Sequence, residues 1–232
     1  MLIKKWEQLP EEMRIPALRP YYDVLRAHSG SLVLKRAFDL AGSIVLLGLL
    51  SPAFLAISAA VALDSKGGVF FTQERVTAYN RHFQIIKFRT MVPDAESIGA
   101  QLTTSNDMRV TRVGRFLRNS RLDELPQLIN IFIGDMSFVG TRPEVPRYVA
   151  RYSPEMLATL LLPAGVTSEA SIRYKDEYKL LNEGGDVDTI YVDRVLPDKM
   201  RYNLKAIREF SFMNELRTIF RTVLAVCGRE YR

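Results

Sequence analysis

Between Leu40 and Leu63 the chain runs 24 residues without a charged side chain. As one straight helix this run would be about 36 Å long, enough to cross a hydrocarbon core of about 30 Å. Ser51-Pro52 interrupts it at its middle. A proline there breaks or bends a helix, and Ser can satisfy a carbonyl that the break frees. Each half would be only about 18 Å long, so a bent element could enter and leave one leaflet. Lys35 and Arg36 precede the run and Lys66 follows it. Basic flanks on both sides give little reason to put the two ends on opposite sides of a membrane. A soluble core helix is the third alternative, but such helices seldom run this long without charge on any face. A membrane-embedded element ranks first, with a re-entrant path ahead of a spanning one.

The chain as a whole is basic. Lys plus Arg number 32 against 26 Asp plus Glu, a formal net charge of +6. That balance points to anionic partners: nucleic acid, phosphorylated small molecules or an acidic membrane surface. Nucleic acid is disfavoured, because no fold signature for it is present and the apolar run speaks against it. The single cysteine, Cys227, excludes an intramolecular disulfide. With only His28 and His82 beside it, the chain is poorly equipped for structural zinc. A metal would be Mg²⁺ or Mn²⁺ on oxygen ligands. The apolar run also begins too late to be a signal peptide.

Two adjacent carboxylates, Asp123 and Glu124, stand in the stretch Ser120-Arg-Leu-Asp-Glu-Leu-Pro-Gln-Leu-Ile-Asn130, where a helix is expected to begin. Ser120 as cap, with an acid three residues on, makes a capping-box pattern. It also puts Pro126 in the second turn, against the carbonyl of Leu122. Leu122 or Asp123 as cap puts Pro126 in the first turn, where its missing N–H costs nothing. In either register both carboxylates face free backbone N–H groups, which favours their ionised forms. Taken alone, these acids need do no more than stabilise a helix start.

The surroundings carry more cations than such a role requires. Strands are expected over Val69–Val76 and His82–Met91, about a Tyr79-Asn80 turn. Alternation puts Lys87 and Arg89 on one face, where an anion would relieve their repulsion; a solvated face is the plain alternative. A helix is expected from Pro93 to Gln101, then a loop over Thr103–Asp107. Arg109, Arg112, Arg115, Arg118 and Arg121 form a stripe at three-residue spacing. Five like charges destabilise an isolated helix. They suit phosphates, anionic lipid, or acids such as Asp107 and Asp123. Gly134 to Gly140 reads as turn-rich. Arg142, before Pro143, is held extended, which suits a fixed guanidinium fork. Ala164–Ser168 reads as a loop and Ala170–Arg173 as a short strand. Helices are expected from Asp186 to Val195, from Pro197 to Phe210, and over an amphipathic Phe212–Val226 capped by Ser211. Residues 1–33, with Pro10, Pro16 and Pro20, read as an N-terminal arm or as short interrupted helices.

Several motifs follow one another in order: Lys35-Arg36-Ala-Phe-Asp39, Ser51-Pro52, Lys87-Phe-Arg-Thr-Met91, Asn106-Asp107, Arg109-Val-Thr-Arg112, Gly114-Arg-Phe-Leu-Arg118, Leu122-Asp-Glu-Leu-Pro-Gln-Leu128, Gly134-Asp-Met-Ser137 and Arg142-Pro-Glu144. On these the chain from Leu34 to Val226 resembles the bacterial sugar transferases of the monotopic phosphoglycosyl transferase superfamily. The resemblance implies an α+β, predominantly helical fold. A re-entrant membrane helix hairpin at 34–66 would precede a cytoplasmic catalytic domain at 67–232, with a small β-hairpin and interfacial amphipathic helices. It implies transfer of a sugar 1-phosphate from a nucleotide diphosphate sugar, with a uridine base, to a polyprenyl (undecaprenyl) phosphate. The place would be the cytoplasmic face of a bacterial inner membrane, at the first membrane step of glycan assembly.

By the same resemblance Asp123 is the nucleophile that forms a covalent phosphosugar, and Glu124 is the ligand for Mg²⁺, with Mn²⁺ as the alternative ion. Lys87, Arg89, Thr90, Arg118, Arg142, Pro143 and Glu144 would bind substrate, and Ser51 and Pro52 would form the membrane break. Membrane lipids and further copies of the chain are the other expected partners, and nucleic acid is not one. The chain departs from the family pattern at Thr141, at Ala164-Gly-Val-Thr-Ser168 and around Thr77–Asn80, where the usual glycines are missing. A membrane-anchored scaffolding protein of a glycan assembly complex is the competing class.

Overall fold

The computed structural model describes residues 3–93, 107–174 and 187–226. The expected helix beyond Pro93, the loop as far as Asn106, the helix start at Asp186 and Cys227 lie outside the described residues. The fold is mostly helical, with two small two-stranded sheets.

Three 3-10 turns, Trp6–Gln8, Glu11–Met13 and Pro16–Leu18, lead into α1 (Arg19–Ala27). The prolines set the breaks: Pro10 precedes the second turn, Pro16 opens the third, and Pro20 sits in the first turn of α1. At such positions a missing N–H removes no helical bond. This segment does not stand away from the body as an arm. Leu9, Met13, Leu18, Tyr21, Tyr22 and Leu25 are buried with Leu160, Leu161 and Ile207 in one core cluster. Interrupted so often, the segment offers no period from which burial can be read.

The long apolar run lies in two helices, α2 (Ser29–Leu49) and α3 (Ser51–Asp64), bent by 63°. Pro52 lies in the first turn of α3, and the Ser51 hydroxyl donates to the Gly48 carbonyl at 2.8 Å. Among the described residues no single helix is long and apolar enough to cross a membrane, while the bent pair together is. Val33, Leu34, Leu40, Ile44, Val45 and Leu49 on α2 are exposed, as are Leu55 and Leu63 on α3. The first half of α2 is fastened to the body by polar contacts. Lys35 donates to the Val139 carbonyl at 2.7 Å and pairs with Glu215. Arg36 donates to the carbonyls of Ile131 and Phe132 at 2.7 and 2.9 Å. Asp39 accepts from the Phe138 N–H at 3.0 Å.

β1 (Phe70–Thr77) pairs antiparallel with β2 (Arg81–Phe88), from Phe70 opposite Phe88 to Thr77 opposite Arg81. Where the family's glycines are missing, Tyr79 and Asn80 take left-handed φ angles of 60° and 58°. The Tyr79 ring is held from the N-terminal segment: the Lys4 N–H donates to its hydroxyl at 3.1 Å, and the Lys4 ammonium lies over the ring.

Beyond them come α4 (Arg112–Ser120), a 3-10 turn (Leu122–Glu124), α5 (Gln127–Ile133), β3 (Met136–Val139), α6 (Pro146–Val149), a 3-10 run (Met156–Leu161), β4 (Ala164–Thr167) and α7 (Glu169–Arg173). α8 (Val187–Ile190), a π-helical turn (Tyr191–Val195), α9 (Leu196–Arg208) and α10 (Phe212–Val226) are the last elements among the described residues. Three expectations fail here, the first being the turn-rich reading of Gly134 to Gly140, which holds β3. Ala164–Ser168 is no loop, because β4 pairs parallel with β3, Met136 opposite Ala164 and Val139 opposite Thr167. Ala170–Arg173 is helical, with the Ser168 hydroxyl capping α7 by accepting from the Ser171 N–H at 3.0 Å. Glycines permit the strand pairing. A Cβ on Gly165 would stand 2.1 Å from the Gly140 nitrogen, closer than any side chain allows.

Candidate active site

Ser120 does not begin a helix. It ends α4, and its hydroxyl donates to the Phe116 carbonyl at 2.8 Å. Arg121 then turns the chain with a left-handed φ of 59°, the short turn Leu122–Glu124 follows, and Pro126 directly precedes α5. Neither expected register holds. The position after a helix that takes a left-handed angle is usually Gly or Asn, and Arg121 gives no such signal. The acids therefore sit in a tight turn between two helices.

Glu124 is clamped there. Arg142 donates through Nη1 to Oε2 at 3.2 Å and through Nη2 to Oε1, and Lys87 donates to Oε1 at 3.2 Å. Burial pushes the Glu124 carboxyl up, but Arg142 and Lys87 outweigh it and hold the group far below the usual carboxylate range. Asp123 differs. It is only 8% exposed, and its Oδ1 has no hydrogen-bond partner among the described residues. Burial raises its pKa, against the pull of Lys87, Arg118 and Arg142, and the Glu124 charge adds to the rise. Both acids were expected to be held ionised by a helix start; cations do this for Glu124, while desolvation opposes it for Asp123.

Arg118 donates through Nε to the Thr90 hydroxyl at 2.9 Å. Burial lowers its pKa and the Asp123 charge raises it. Thr90 is itself pinned, its carbonyl accepting from the Thr111 N–H at 3.0 Å. The arginine stripe thus separates: Arg109 pairs with Asp107, Arg118 turns toward Thr90 and Asp123, and Arg121 forms the left-handed turn.

Pro143 and Glu144 lie one layer behind. The Pro143 carbonyl accepts from Arg75 at 3.0 Å. The buried Glu144 carboxylate accepts from the Tyr191 hydroxyl and lies 3.6 Å from the Lys199 ammonium. Arg89 does not join Lys87. Its guanidinium donates to the carbonyls of Ser65, Lys66 and Gly68 at 2.8, 2.6 and 2.6 Å, fastening the exit of α3. It lies just past the end of β2, so strand alternation no longer fixes its direction.

Two residues of the site escaped the sequence argument. Arg75 reaches it from β1, where alternation with Phe71 and Gln73 on the less exposed face could have flagged it. Asn130 accepts at Oδ1 from the Ile86 N–H at 3.0 Å and donates from Nδ2 to the Gln84 carbonyl at 2.8 Å. It ties α5 to β2 beside Lys87.

No cluster of three or more acidic, His or Cys side chains suited to a metal occurs among the described residues. Mg²⁺ commonly takes one or two protein carboxylates and completes its shell with substrate phosphates and water. The partnerless, buried Oδ1 of Asp123 beside the Glu124 carboxylate fits that kind of site.

The family model described as bacterial sugar transferase matches residues 30–229. Over 196 residues the chain is 33% identical to a UDP-N-acetylgalactosamine-undecaprenyl-phosphate N-acetylgalactosaminephosphotransferase of Aeromonas hydrophila, covering 83% of this chain and 43% of that protein. Over 217 residues it is 35% identical to a UDP-glucose:undecaprenyl-phosphate glucose-1-phosphate transferase of Escherichia coli (strain K12), covering 92% of this chain and 44% of that protein. Over 208 residues it is 35% identical to the exopolysaccharide production protein ExoY of Rhizobium meliloti (strain 1021), covering 83% and 85%. The chain thus spans less than half the length of the first two relatives and most of the third. With the family model covering nearly the whole chain, the protein belongs to the bacterial sugar transferase family.

Proposed function

We propose that the protein transfers a sugar 1-phosphate from a UDP sugar to undecaprenyl phosphate through a covalent intermediate on Asp123. One observation carries this reading: two adjacent buried acids in opposite environments, Glu124 clamped by Arg142 and Lys87, and Asp123 with an oxygen left unpartnered. The similar proteins are named for undecaprenyl phosphate and UDP sugars, which supplies the substrate classes.

An Asp123 oxygen attacks the phosphorus that bears the sugar. The bond to the bridging oxygen breaks, and the nucleoside monophosphate leaves with its electron pair. A phosphate oxygen of the lipid then attacks the same phosphorus, the acyl–phosphate bond breaks, and the Asp123 carboxylate is restored. Desolvation leaves the Asp123 carboxylate less shielded by water, and a group in that state is the better nucleophile once ionised. Lys87, Arg142 and Arg118 offset the donor's charge and that of the leaving phosphate, the main source of rate in phosphoryl transfer. Magnesium (or manganese), held by Glu124 with Asp123 beside it, supplies further charge neutralisation when bound. Arg121 fixes the acid turn, and Thr90 orients Arg118.

In this reading α2 and α3 form a re-entrant element at the cytoplasmic face of a bacterial inner membrane. The 63° bend and the exposed apolar side chains along both helices support it. The amphipathic α10, with Met213, Phe220, Val223 and Val226 exposed, would lie at the interface.

The test is a screen of UDP sugars with undecaprenyl phosphate, scoring nucleoside monophosphate release, together with intact-mass analysis after donor alone. Release with at least one donor, a sugar-phosphate adduct on the wild type and neither in Asp123→Asn are expected. Normal turnover in Asp123→Asn would remove the nucleophile. Membrane binding without release from any donor would favour a scaffold.

A further inference from the structure

We infer that Arg75 is an anion-binding residue of this site and takes the diphosphate group of the donor. The inference deepens the proposed reaction and rests on it for the identity of the anion.

The cations around the acid turn are not equivalent. Lys87 and Arg142 share Glu124, and behind them Lys199 lies by Glu144. Arg75 has no such partner. Its Nε and Nη2 both donate to the Gln73 side-chain oxygen, at 3.1 and 2.6 Å, and its Nη1 donates to the Pro143 carbonyl at 3.0 Å. All three bonds go to neutral oxygens, and among the described residues no carboxylate lies within 4.0 Å of its guanidinium. Arg75 is partly buried, and a cation held partly out of water is ordinarily paired, because an uncompensated charge there is costly. Burial pushes the Arg75 pKa down, and Arg142 pushes it further, while Glu144 and Glu124 pull it up only in part.

The charges point the same way. Lys87, Arg118 and Arg142 act on Asp123, and Arg142, Lys87 and Arg121 on Glu124, while Arg75 feels Glu144, itself beside Lys199, and Glu124. Cations thus outnumber acids around the turn, and a diphosphate diester brings two negative charges. Of Arg75, Lys87, Arg118 and Arg142, Arg75 alone can meet it without first releasing an acid or a hydroxyl. Gln73, a neutral acceptor, holds the fork in place at little electrostatic cost. A guanidinium also matches phosphate oxygens two at a time, which an ammonium does not.

The probe is inorganic pyrophosphate, titrated calorimetrically against the full chain in detergent micelles. Arg75→Met is expected to weaken binding about tenfold or more, the equivalent of one charge-assisted contact, with an unchanged melting temperature. If Arg75→Met does not fold, Arg75→Lys decides. It keeps the charge and loses the fork, and about threefold weaker binding is expected. A wild type that does not bind pyrophosphate overturns the inference, as does wild-type affinity in the folded variant. A chain that binds pyrophosphate through Arg75 yet releases no nucleotide from any UDP sugar sinks the proposed reaction and leaves the anion site standing.

Discussion

Arg142 grips Glu124 with two nitrogens, Nη1 on Oε2 and Nη2 on Oε1, while Lys87 of β2 shares Oε1. The geometry needs a planar fork. Arg142→Lys offers a point charge in its place, and Lys87 still partners Glu124, so the fold should survive. A fall in kcat/KM of about 100-fold is expected, the usual loss for one oriented donor of transition-state charge. Turnover near wild type would take Arg142 out of the reaction.

The two acids should respond oppositely to pH. Asp123 has a folded pKa above its ordinary 3.8. As pH rises past that value the unfolded chain loses the proton first, so stability falls across the window up to the raised pKa and stays lower above it. Asp123→Asn should therefore melt higher than wild type near neutrality, with the gain vanishing below about pH 3.8. Glu124 has a depressed folded pKa, so its contribution is complete above its ordinary 4.5 and is lost as pH falls toward the depressed value. Glu124→Gln should melt lower near neutrality, with the deficit closing in acid. Melting curves across pH decide, and the same trend in both variants would contradict the assigned environments.

Lys35 and Glu215 join α2 to α10 where both side chains are nearly inaccessible. Lys35→Met leaves a buried carboxylate and the Val139 carbonyl without their donor. A loss of about 3–5 kcal/mol is expected by denaturant titration. Lys35→Met with Glu215→Met should recover part of it, since only the carbonyl then stays unsatisfied. No recovery would mean that the pair is not the main term.

At Gly114 an added Cβ would stand 2.1 Å from the Thr90 carbonyl oxygen. Gly114→Ala must push α4 away from the strand exit and carry Arg118 off Thr90. A stability loss of about 1–3 kcal/mol is expected, with a lower kcat/KM. A variant that keeps both would show that the contact relaxes freely.

The bent pair can be tested apart from catalysis. In a Cys227→Ser background, Gly30→Cys in the first turn of α2 and Gly68→Cys beyond α3 flank the apolar run, and a Cβ at Gly30 meets nothing within 4 Å. Both thiols should react with an impermeant maleimide from the same membrane face. Opposite faces would make the pair an ordinary span.

Much of the site is legible in the residues because local rules suffice for it. Ser51-Pro52 marks the bend, and the Arg142-Pro143 pair marks the arginine that meets Glu124. What escaped depends on contacts across the chain. Arg89 and Lys87 share a strand pattern, but the carbonyls at the end of α3 capture Arg89. The stop of α4 rests on an arginine in a conformation normally given to glycine. The residues around Asp123 suggest the electrostatics of a helix end, whereas packing in the tight turn desolvates it. The proline-broken N-terminus hides its role because Tyr21, Tyr22 and Leu25 are buried against residues more than a hundred positions away.

Asn130 presents one donor and one acceptor to β2, the same pair that a neighbouring strand would offer. The outer edge of β2 is therefore already satisfied at Gln84 and Ile86. An extended peptide or a second copy of the chain finds no open ladder at these two residues, so the hairpin is protected there against strand addition and aggregation.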